Sequence, residues 1–193
     1  MRVGIERIGK IVLSLRNFSR LDESEMKLVD LHEGIDSTLL IVQHRLHQEN
    51  RKSRIEIIKE YGKISKISCC AGQLNQVFLN IITNAIDAVE NQPQPRTIVI
   101  RTEMKKAGLK SHSKSQLSHC DRIVICIADS GPGMTEDVRK RLFDPFFTTK
   151  PVGSGTGLGL SISHQIVVEK HRGSLRCISA PGQGAEFWIE IPC

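Results

Sequence analysis

The stretch NIITNAIDAVEN, residues 80–91, places asparagines at positions 80 and 84 within a run of isoleucine, alanine and valine. On a wheel of 3.6 residues per turn, the apolar residues of this region fall on one broad face. The pattern predicts a long helix over 73–90. The face that it buries consists of Val77, Phe78, Ile81, Ile82, Ala85, Ile86 and Val89.

A polar stripe borders that apolar face. Gln76, Asn80 and Asn84 recur every four residues, and Asp87 lies close by. A buried amide without a partner costs roughly 1–3 kcal/mol, so these side chains need something to bind. Asparagine carbonyls serve as metal ligands, and Mg²⁺ often arrives with substrate phosphates. On this helix alone, satisfied surface amides remain the simpler interpretation.

The composition is that of a soluble globular protein. The 193 residues are 39% hydrophobic and 25% charged, enough for one sizeable core. No apolar run reaches the ~18 residues of a membrane span and no signal peptide is visible, so we expect a cytoplasmic chain or the soluble end of a larger protein.

Two partner classes are disfavoured by the residue types. The net charge of +6 is scattered and the aromatic content is 4%, too sparse for a base-stacking surface, so no nucleic acid partner is expected. The six cysteines contain no C-x-x-C pair, which disfavours a zinc site. Several lie in strand-like runs, as buried free thiols of a reducing compartment do.

The hydrophobic periodicity predicts an α+β fold, a mixed sheet covered on one face by helices. Residues 2–20 form a helical seam that needs a partner helix or a second chain, through Ile5, Ile8, Val12 and Leu15. A charged connector, LDESEMKLVDL, leads into a helix capped by Asp30. Helices are predicted at 32–48, 73–90, 135–142 and 157–170, and strands at 54–62, 64–70, 96–103, 122–129, 174–180 and 185–191. An extended loop of a hairpin is predicted at 107–121.

The segment IADSGPGM, residues 127–134, brings Asp129 to the end of a strand. Gly131 and Gly133 let the following backbone approach a flat ligand closely. A carboxylate there could accept a hydrogen bond from an exocyclic amine such as that of adenine. An ordinary turn between a strand and a helix is the alternative.

The segment FDPFFTTKPVGSGTGLGL, residues 143–160, combines three phenylalanines, Lys150 and alternating glycines that lead into a helix. Free N–H groups beside a lysine suit phosphate oxygens. The order of residues is not that of a Walker loop. A flexible glycine-rich loop is the alternative.

Taken in this order, the four segments resemble the ATP-binding domain of sensor histidine kinases, in the superfamily that includes gyrase, heat-shock and mismatch-repair ATPases. NIITNAIDA matches the N box, DSGPGM the G1 box, FDPFFTTK the F box and GTGLGL the G2 box. GAEFWIEIP resembles the closing hairpin. The likeness covers residues 28–193, and residues 1–27 resemble part of the dimerisation hairpin and its connector.

The resemblance implies a two-layer, Bergerat-type fold after one N-terminal helix, and the binding of ATP and Mg²⁺. Asn84 would hold the metal, Asn80 the phosphate or metal shell, and Asp129 the adenine amine. Residues 143–150 would form a mobile lid. The implied catalytic residues are Asn80, Asn84 and Lys150. The implied nucleotide-binding set is Asn80, Asn84, Asp87, Asp129, Gly131, Gly133, Phe147, Thr148, Thr149, Lys150, Gly155, Thr156, Gly157, Leu158 and Gly159.

One position favours a kinase over an ATPase. The ATPases of this superfamily carry a glutamate one turn before the metal-binding asparagine, where it acts on the attacking water. Here that residue is Asn80, which cannot act as a general base. Because phosphoryl transfer needs mainly positioning and charge neutralisation, the site favours transfer to a side chain.

The phosphoacceptor of such a kinase is not recognisable. His32-Glu33 lacks the Asn-Pro-Leu of the acceptor motif. We therefore expect transfer to a histidine on a dimerisation domain outside this chain, a response regulator receiver domain downstream, and a homodimer through the N-terminal helix. A non-catalytic nucleotide-responsive interaction domain and a slow ATPase are the alternatives.

Overall fold

The computed structural model describes residues 25–46, 55–107, 120–151 and 155–193. Within these ranges the strands are β1 (Lys27–Val29), β2 (Glu56–Tyr61), β3 (Ile67–Cys69), β4 (Thr97–Lys105), β5 (Arg122–Asp129), β6 (Ser174–Ser179) and β7 (Ala185–Pro192). The helices are α1 (Leu31–Leu46), α2 (Ala71–Val89), α3 (Glu136–Arg141) and α4 (Gly159–Gln165), and α4 continues as a π-helical turn (Ile166–Lys170). The predicted N-terminal seam and most of the predicted 107–121 loop lie outside the described residues.

Five strands form one mixed sheet in the order β2-β4-β5-β7-β6. β2 runs parallel to β4, and the other neighbours are antiparallel. The central strand β5 is buried along its middle, from Ile123 to Ile127. Its β-branched residues suit the pleated surface of a central strand. The mixed sheet predicted from the sequence is confirmed.

Helix α2 covers one face of this sheet. The seven residues predicted for its apolar face are each 2% exposed or less. α1 and α4 both pack against α2. α1 starts where predicted, because the Asp30 carboxylate accepts a hydrogen bond of 2.9 Å from the His32 N–H. The expected arrangement of helices on one face of the sheet is confirmed.

The charged connector contains a strand that the sequence pattern missed. Lys27–Val29 pairs antiparallel with Ile67–Cys69 and forms a separate two-stranded sheet. Three residues are too few for the alternation of a strand to be visible in a sequence, and the surrounding charges obscure it further. The predicted 157–170 helix also differs, since its regular part ends at Gln165 and a π-helical turn follows.

The side chain of His171 supports that turn. Its Nδ1 lies 2.9 Å from the Ile166 carbonyl oxygen, and its Nε2 accepts a hydrogen bond of 3.1 Å from the Cys70 N–H. Cys70 immediately precedes α2, whose first turn has no side-chain cap. His171 therefore satisfies a backbone donor at the start of the helix that carries the asparagines.

Among the described residues, no helix is both long enough and apolar enough to cross a membrane.

Removing buried volume from α2 should destabilise the whole domain. Ile81 is fully buried, so we expect Ile81→Ala to lower the free energy of unfolding by about 2–5 kcal/mol. Ile178 is 59% exposed on β6, and Ile178→Ala should change the same quantity by no more than about 0.5 kcal/mol. Denaturant unfolding of both variants measures the difference. Equal losses would mean that α2 does not pack on the sheet as described.

Candidate functional site

The four predicted segments meet at the edge of α2. Asn80 Nδ2 donates to the Gly159 carbonyl oxygen at 2.9 Å and to Ser163 Oγ at 3.1 Å. Lys150 Nζ donates to Asn84 Oδ1 at 3.1 Å. A Cβ atom built on Gly131 would lie 2.8 Å from the Cβ of Ala88. The N-box helix therefore contacts the lid lysine, the start of α4 and the turn after β5.

Asn80 joins two helices. Its amide nitrogen binds α4 at Gly159 and Ser163, one turn apart, and Ser163 Oγ in turn donates to the Gly159 carbonyl at 2.8 Å. The donor group of Asn80 is thus used within the protein. The predicted contact of Asn80 with phosphate or metal depends on its carbonyl oxygen.

Asn84 presents its oxygen to a cation. The ammonium group that occupies this place belongs to Lys150, which also forms a close ion pair with Asp87. The second Asp87 oxygen lies 2.5 Å from Arg45 Nη2. Burial by itself would raise the pKa of Asp87, but the hydrogen bonds from Lys150 and Arg45 outweigh it, and the pKa is lowered.

Asp129 stands at the end of β5 as predicted. Its Oδ1 accepts a hydrogen bond of 2.8 Å from the Gly131 N–H, and the Ala185 N–H is a second backbone donor. Burial raises the pKa of Asp129 despite these two donors. A carboxylate has about four acceptor positions, so acceptor capacity remains for a ligand amine.

The turn after Asp129 has no room for a side chain at either of its glycines. A Cβ atom on Gly131 would lie 2.7 Å from Asp129 Oδ1. Gly133 has a φ of +69°, and its Cβ would lie 2.0 Å from the Ala180 carbonyl oxygen. Any other residue at either position would push the turn away from Asp129 or from the β6–β7 hairpin.

The F-box segment is held at several points. The Arg141 guanidinium lies 4.5 Å from the centre of the Phe147 ring, and the Phe143 ring packs 5.0 Å from that of His164 on α4. Thr148 Oγ1 accepts a hydrogen bond of 3.1 Å from the Lys150 N–H. Phe146, by contrast, is 74% exposed and has a φ of +65°.

The backbone of this segment rests on the G2 box. Gly157 has a φ of +66°, and a Cβ atom on it would lie 2.4 Å from the carbonyl carbon of Phe146. A Cβ atom on Gly155 would approach Thr148 Oγ1 to 2.9 Å. Leu158 donates its N–H to Thr156 Oγ1 at 3.4 Å. Thr149 is exposed on the same segment.

The donor set at Asn84 suits Mg²⁺ that is shared with phosphates. Within the described ranges, no three His, Cys, Asp or Glu side chains gather closely enough to form a metal cage. Mg²⁺ commonly binds through one or two protein oxygens together with waters and substrate phosphates. The Lys150 ammonium beside Asn84 Oδ1 shows that this oxygen accommodates a cation. The residues therefore fit the metal that the four motifs imply.

A separate groove of about 250 Å³ lies beside β1, at the N-terminal ends of α1 and α2. Asp30, Glu33, Lys66 and Gly72 are among the residues that line it, and none of its lining residues belongs to the four motifs. We assign the candidate site to the edge of α2, because hydrogen bonds and ion pairs join the predicted residues there.

Comparison with known proteins identifies the family of the chain. Residues 71–193 match the family model described as Histidine kinase-, DNA gyrase B-, and HSP90-like ATPase. The chain belongs to this family. It is 35% identical, over 97% of its length, to the signal transduction histidine-protein kinase AtoS of Escherichia coli K12, and it spans 27% of that relative.

Solved structures show the same fold. The catalytic domain of histidine kinase ThkA superposes with a TM-score of 0.68 at 27% identity, covering 87% of this chain and 95% of that one. Full-length ShkA in complex with AMPPNP gives a TM-score of 0.68 at 27% identity, covering 94% of this chain and 35% of that one. The resemblance carried by the four boxes, and the histidine-kinase ATP-binding fold that it implies, are confirmed.

Two residues of the candidate site were not predicted. Arg45 on α1 binds Asp87 from 42 positions away, so no local pattern indicates it. Ser163 lies one turn after Gly159 on the face of α4 that meets α2, and its burial is visible only in the structure. Asp87, which the resemblance puts in the nucleotide-binding set, binds Arg45 and Lys150 through its two oxygens, and its contact with nucleotide stays a prediction.

The titration of the Asp129 carboxyl group should report its burial and the binding of an amine donor. We expect the carboxyl ¹³C signal of Asp129 to titrate above the pKa of about 3.9 found in short peptides, because burial disfavours the charged form. An adenine nucleotide should lower that midpoint, since an amine donor favours the carboxylate. NMR titration with and without ADP measures both effects. A midpoint that is unmoved by ADP would show that the amine does not bind Asp129.

The sign of the stability effect follows from the same shift. A raised pKa means that the folded chain binds this proton more tightly than the unfolded chain does. Asp129 therefore favours the folded state at acidic pH, and this contribution is lost as the pH rises through the raised pKa.

Alanine substitutions at two glycines should distinguish the effect of a steric clash from the effect of backbone strain. Gly157→Ala places a methyl group against Phe146, so we expect nucleotide affinity to fall about tenfold or more as the lid shifts. Gly182 has a φ of +76° with nothing within 4 Å of the place a Cβ atom would take, so Gly182→Ala should cost only about 1–2 kcal/mol of stability. Calorimetric binding and unfolding of both variants measure this. Unchanged affinity in Gly157→Ala would contradict a role for the lid–glycine contact.

Proposed function

We propose that this chain binds Mg-ATP and transfers the γ-phosphoryl group to a histidine on a dimerisation domain, as the catalytic module of a sensor histidine kinase. The observation that carries the proposal is the convergence of Asn84, Lys150 and the glycine-rich segment at the edge of α2. Asp129 lies at the end of the neighbouring strand. These groups suit the phosphate end and the adenine end of one ligand.

Asp129 would orient the adenine. Its carboxylate is fixed by the Gly131 and Ala185 N–H groups, so it offers the remaining acceptor positions in a set direction. A fixed acceptor in a largely buried place selects a ligand that carries an amine there, because a ligand without the donor would leave the carboxylate poorly paired. Gly131 and Gly133 keep the turn close to that carboxylate.

Asn84 and Lys150 would hold the phosphate end. Mg²⁺, when bound, supplies charge neutralisation for the phosphates, and Asn84 Oδ1 is the protein oxygen placed to hold it. Lys150 adds a second positive charge on a segment next to Gly155. Phosphoryl transfer depends chiefly on such positioning and electrostatic stabilisation.

Asn80 supports the preference for transfer over hydrolysis. An amide has no basic carboxylate to activate water, and the Asn80 nitrogen is already used in holding α4. The described site thus contains no carboxylate at the position from which the superfamily's ATPases act on water. The attacking group would have to be a nucleophile brought by the acceptor domain.

The partners follow from this chemistry. We infer a dimerisation and phosphoacceptor domain as the immediate substrate, a response regulator receiver domain as the next acceptor, and a homodimer through the apolar seam of Ile5, Ile8, Val12 and Leu15. The buried free thiols of Cys69, Cys126 and Cys177 support a reducing, cytoplasmic location.

Removing the metal-binding amide should abolish transfer. With labelled ATP, Mg²⁺ and a separately supplied dimerisation domain, we expect Asn84→Ala to reduce phosphohistidine formation by about 100-fold or more, since even outer-shell changes cost 10- to 100-fold. Asn91→Ala removes an exposed amide from the end of the same stretch and should leave the rate unchanged.

The competing functions predict other results. Steady phosphate release that Asn84→Ala abolishes would favour a slow ATPase. Nucleotide binding without transfer to any dimerisation domain would favour a nucleotide-responsive interaction domain.

A further inference from the structure

A carboxylate stands among the groups assigned to the phosphate end of the site. Asp87 lies one turn after Asn84 on α2, and its two oxygens bind different elements of the fold. One oxygen binds Arg45 of α1 at 2.5 Å, and the other binds the lid residue Lys150. A negative charge here would repel phosphates, so its presence needs a physical reason.

The same ammonium group binds the proposed metal ligand. Lys150 Nζ lies 3.1 Å from Asn84 Oδ1 while it is paired with Asp87. A magnesium ion on that oxygen would place two like charges side by side, so the ammonium and the metal cannot share it favourably. Lys150 must therefore move away from Asn84 when the metal binds there.

We propose that Asp87 is a latch for the lid: it holds the lid segment through Lys150 and competes with nucleotide phosphates for that ammonium group. The inference rests on the proposed function, because it describes regulation of the same site. Asp87 is a positioning residue that acts through Lys150.

Asp87 keeps one of its two cationic partners when the latch opens. When Lys150 transfers to phosphate, Asp87 keeps the guanidinium of Arg45, so no unpaired carboxylate is left in a partly buried place. Arg45 also lies 3.3 Å from Glu90 Oε2, which fixes the guanidinium at the end of α2. α1, α2 and the lid are thereby linked through one side chain.

The ion pair of Asp87 and Lys150 differs from an ordinary surface ion pair. The side chains of Arg45, Asp87 and Lys150 are 25%, 28% and 35% exposed, so water screens them only in part. Two cationic groups converge on the Asp87 carboxylate, and one of them, Lys150, also binds the Asn84 amide oxygen. The Lys150 N–H also binds Thr148 Oγ1, so movement of Lys150 carries the backbone of the lid with it.

Hydrogen exchange tests the hold on the lid directly. In protein without added nucleotide, Asp87→Asn should raise amide exchange over residues 143–151 about threefold or more. Glu90→Gln removes the same charge at the residue that caps the C-terminus of α2, one turn after Asp87, and keeps the contact between Asp87 and Lys150. Its lid should exchange at the rate of the unaltered protein. Equal exchange in all three proteins overturns the latch.

Nucleotide affinity tests the competition. For Mg-ADP, Asp87→Asn should bind about 3- to 10-fold more tightly than the unaltered protein, and Lys150→Met should bind more weakly. In the Lys150→Met background, Asp87→Asn should bring no further gain, because the competitor has no ammonium to hold. A full gain in that background would mean that Asp87 acts on the phosphates through its field alone, which overturns the latch.

The two proposals fail differently. If the unaltered, folded protein binds no adenine nucleotide, the proposed function is wrong, and the exchange comparison of Asp87→Asn with Glu90→Gln still decides whether Asp87 holds the lid. If nucleotide binds and Asp87→Asn changes neither exchange nor affinity, the latch alone is wrong.

Discussion

The packing of α2 on the central strand of the sheet is the constraint on which the rest of the structure depends. Its apolar face is closed against β5, and every residue of that face is almost fully buried. A helix fixed in this way has no freedom to rotate, because rotation would expose isoleucines on one side and bury amides on the other. Asn80, Asn84 and Asp87 are therefore held at the border of the core, and the lid and α4 are arranged around them.

Much of this could be predicted from the sequence because the signals are local. The 3.6-residue period of α2, the β-branched run of β5 and the Asp-Ser-Gly-Pro-Gly turn are each carried by residues close together in the chain. Their order along the chain then identified the four boxes. The sheet order could not be derived in this way, since the pairing of β4 with β2 and β5 depends on contacts between distant segments.

The parts that the sequence did not reveal are contacts between segments that lie far apart in the chain. The pair of Arg45 and Asp87 joins α1 to α2, and neither residue is unusual in its own segment. β1 is three residues long and is recognisable as a strand only because it pairs with β3. In both cases the feature is stabilised by a tertiary contact. Secondary-structure propensity and hydrophobic periodicity carry no information about such contacts.

The charges of the site show why long-range contacts matter to its chemistry. Read as a row on a helix, Asn84 and Asp87 are one neutral and one negative group, a poor match for a triphosphate. In the folded protein, Arg45 and Lys150 are brought to the same place, and both pair with Asp87. One of these cations belongs to the rigid helix layer and the other to the lid. Arg45 pairs with Asp87 from the helix layer, so under the proposed latch Lys150 is the cation that would leave. Under the proposed function, such a site would gain positive charge for phosphate only when the lid segment takes part in binding, so nucleotide recognition and lid movement would be coupled.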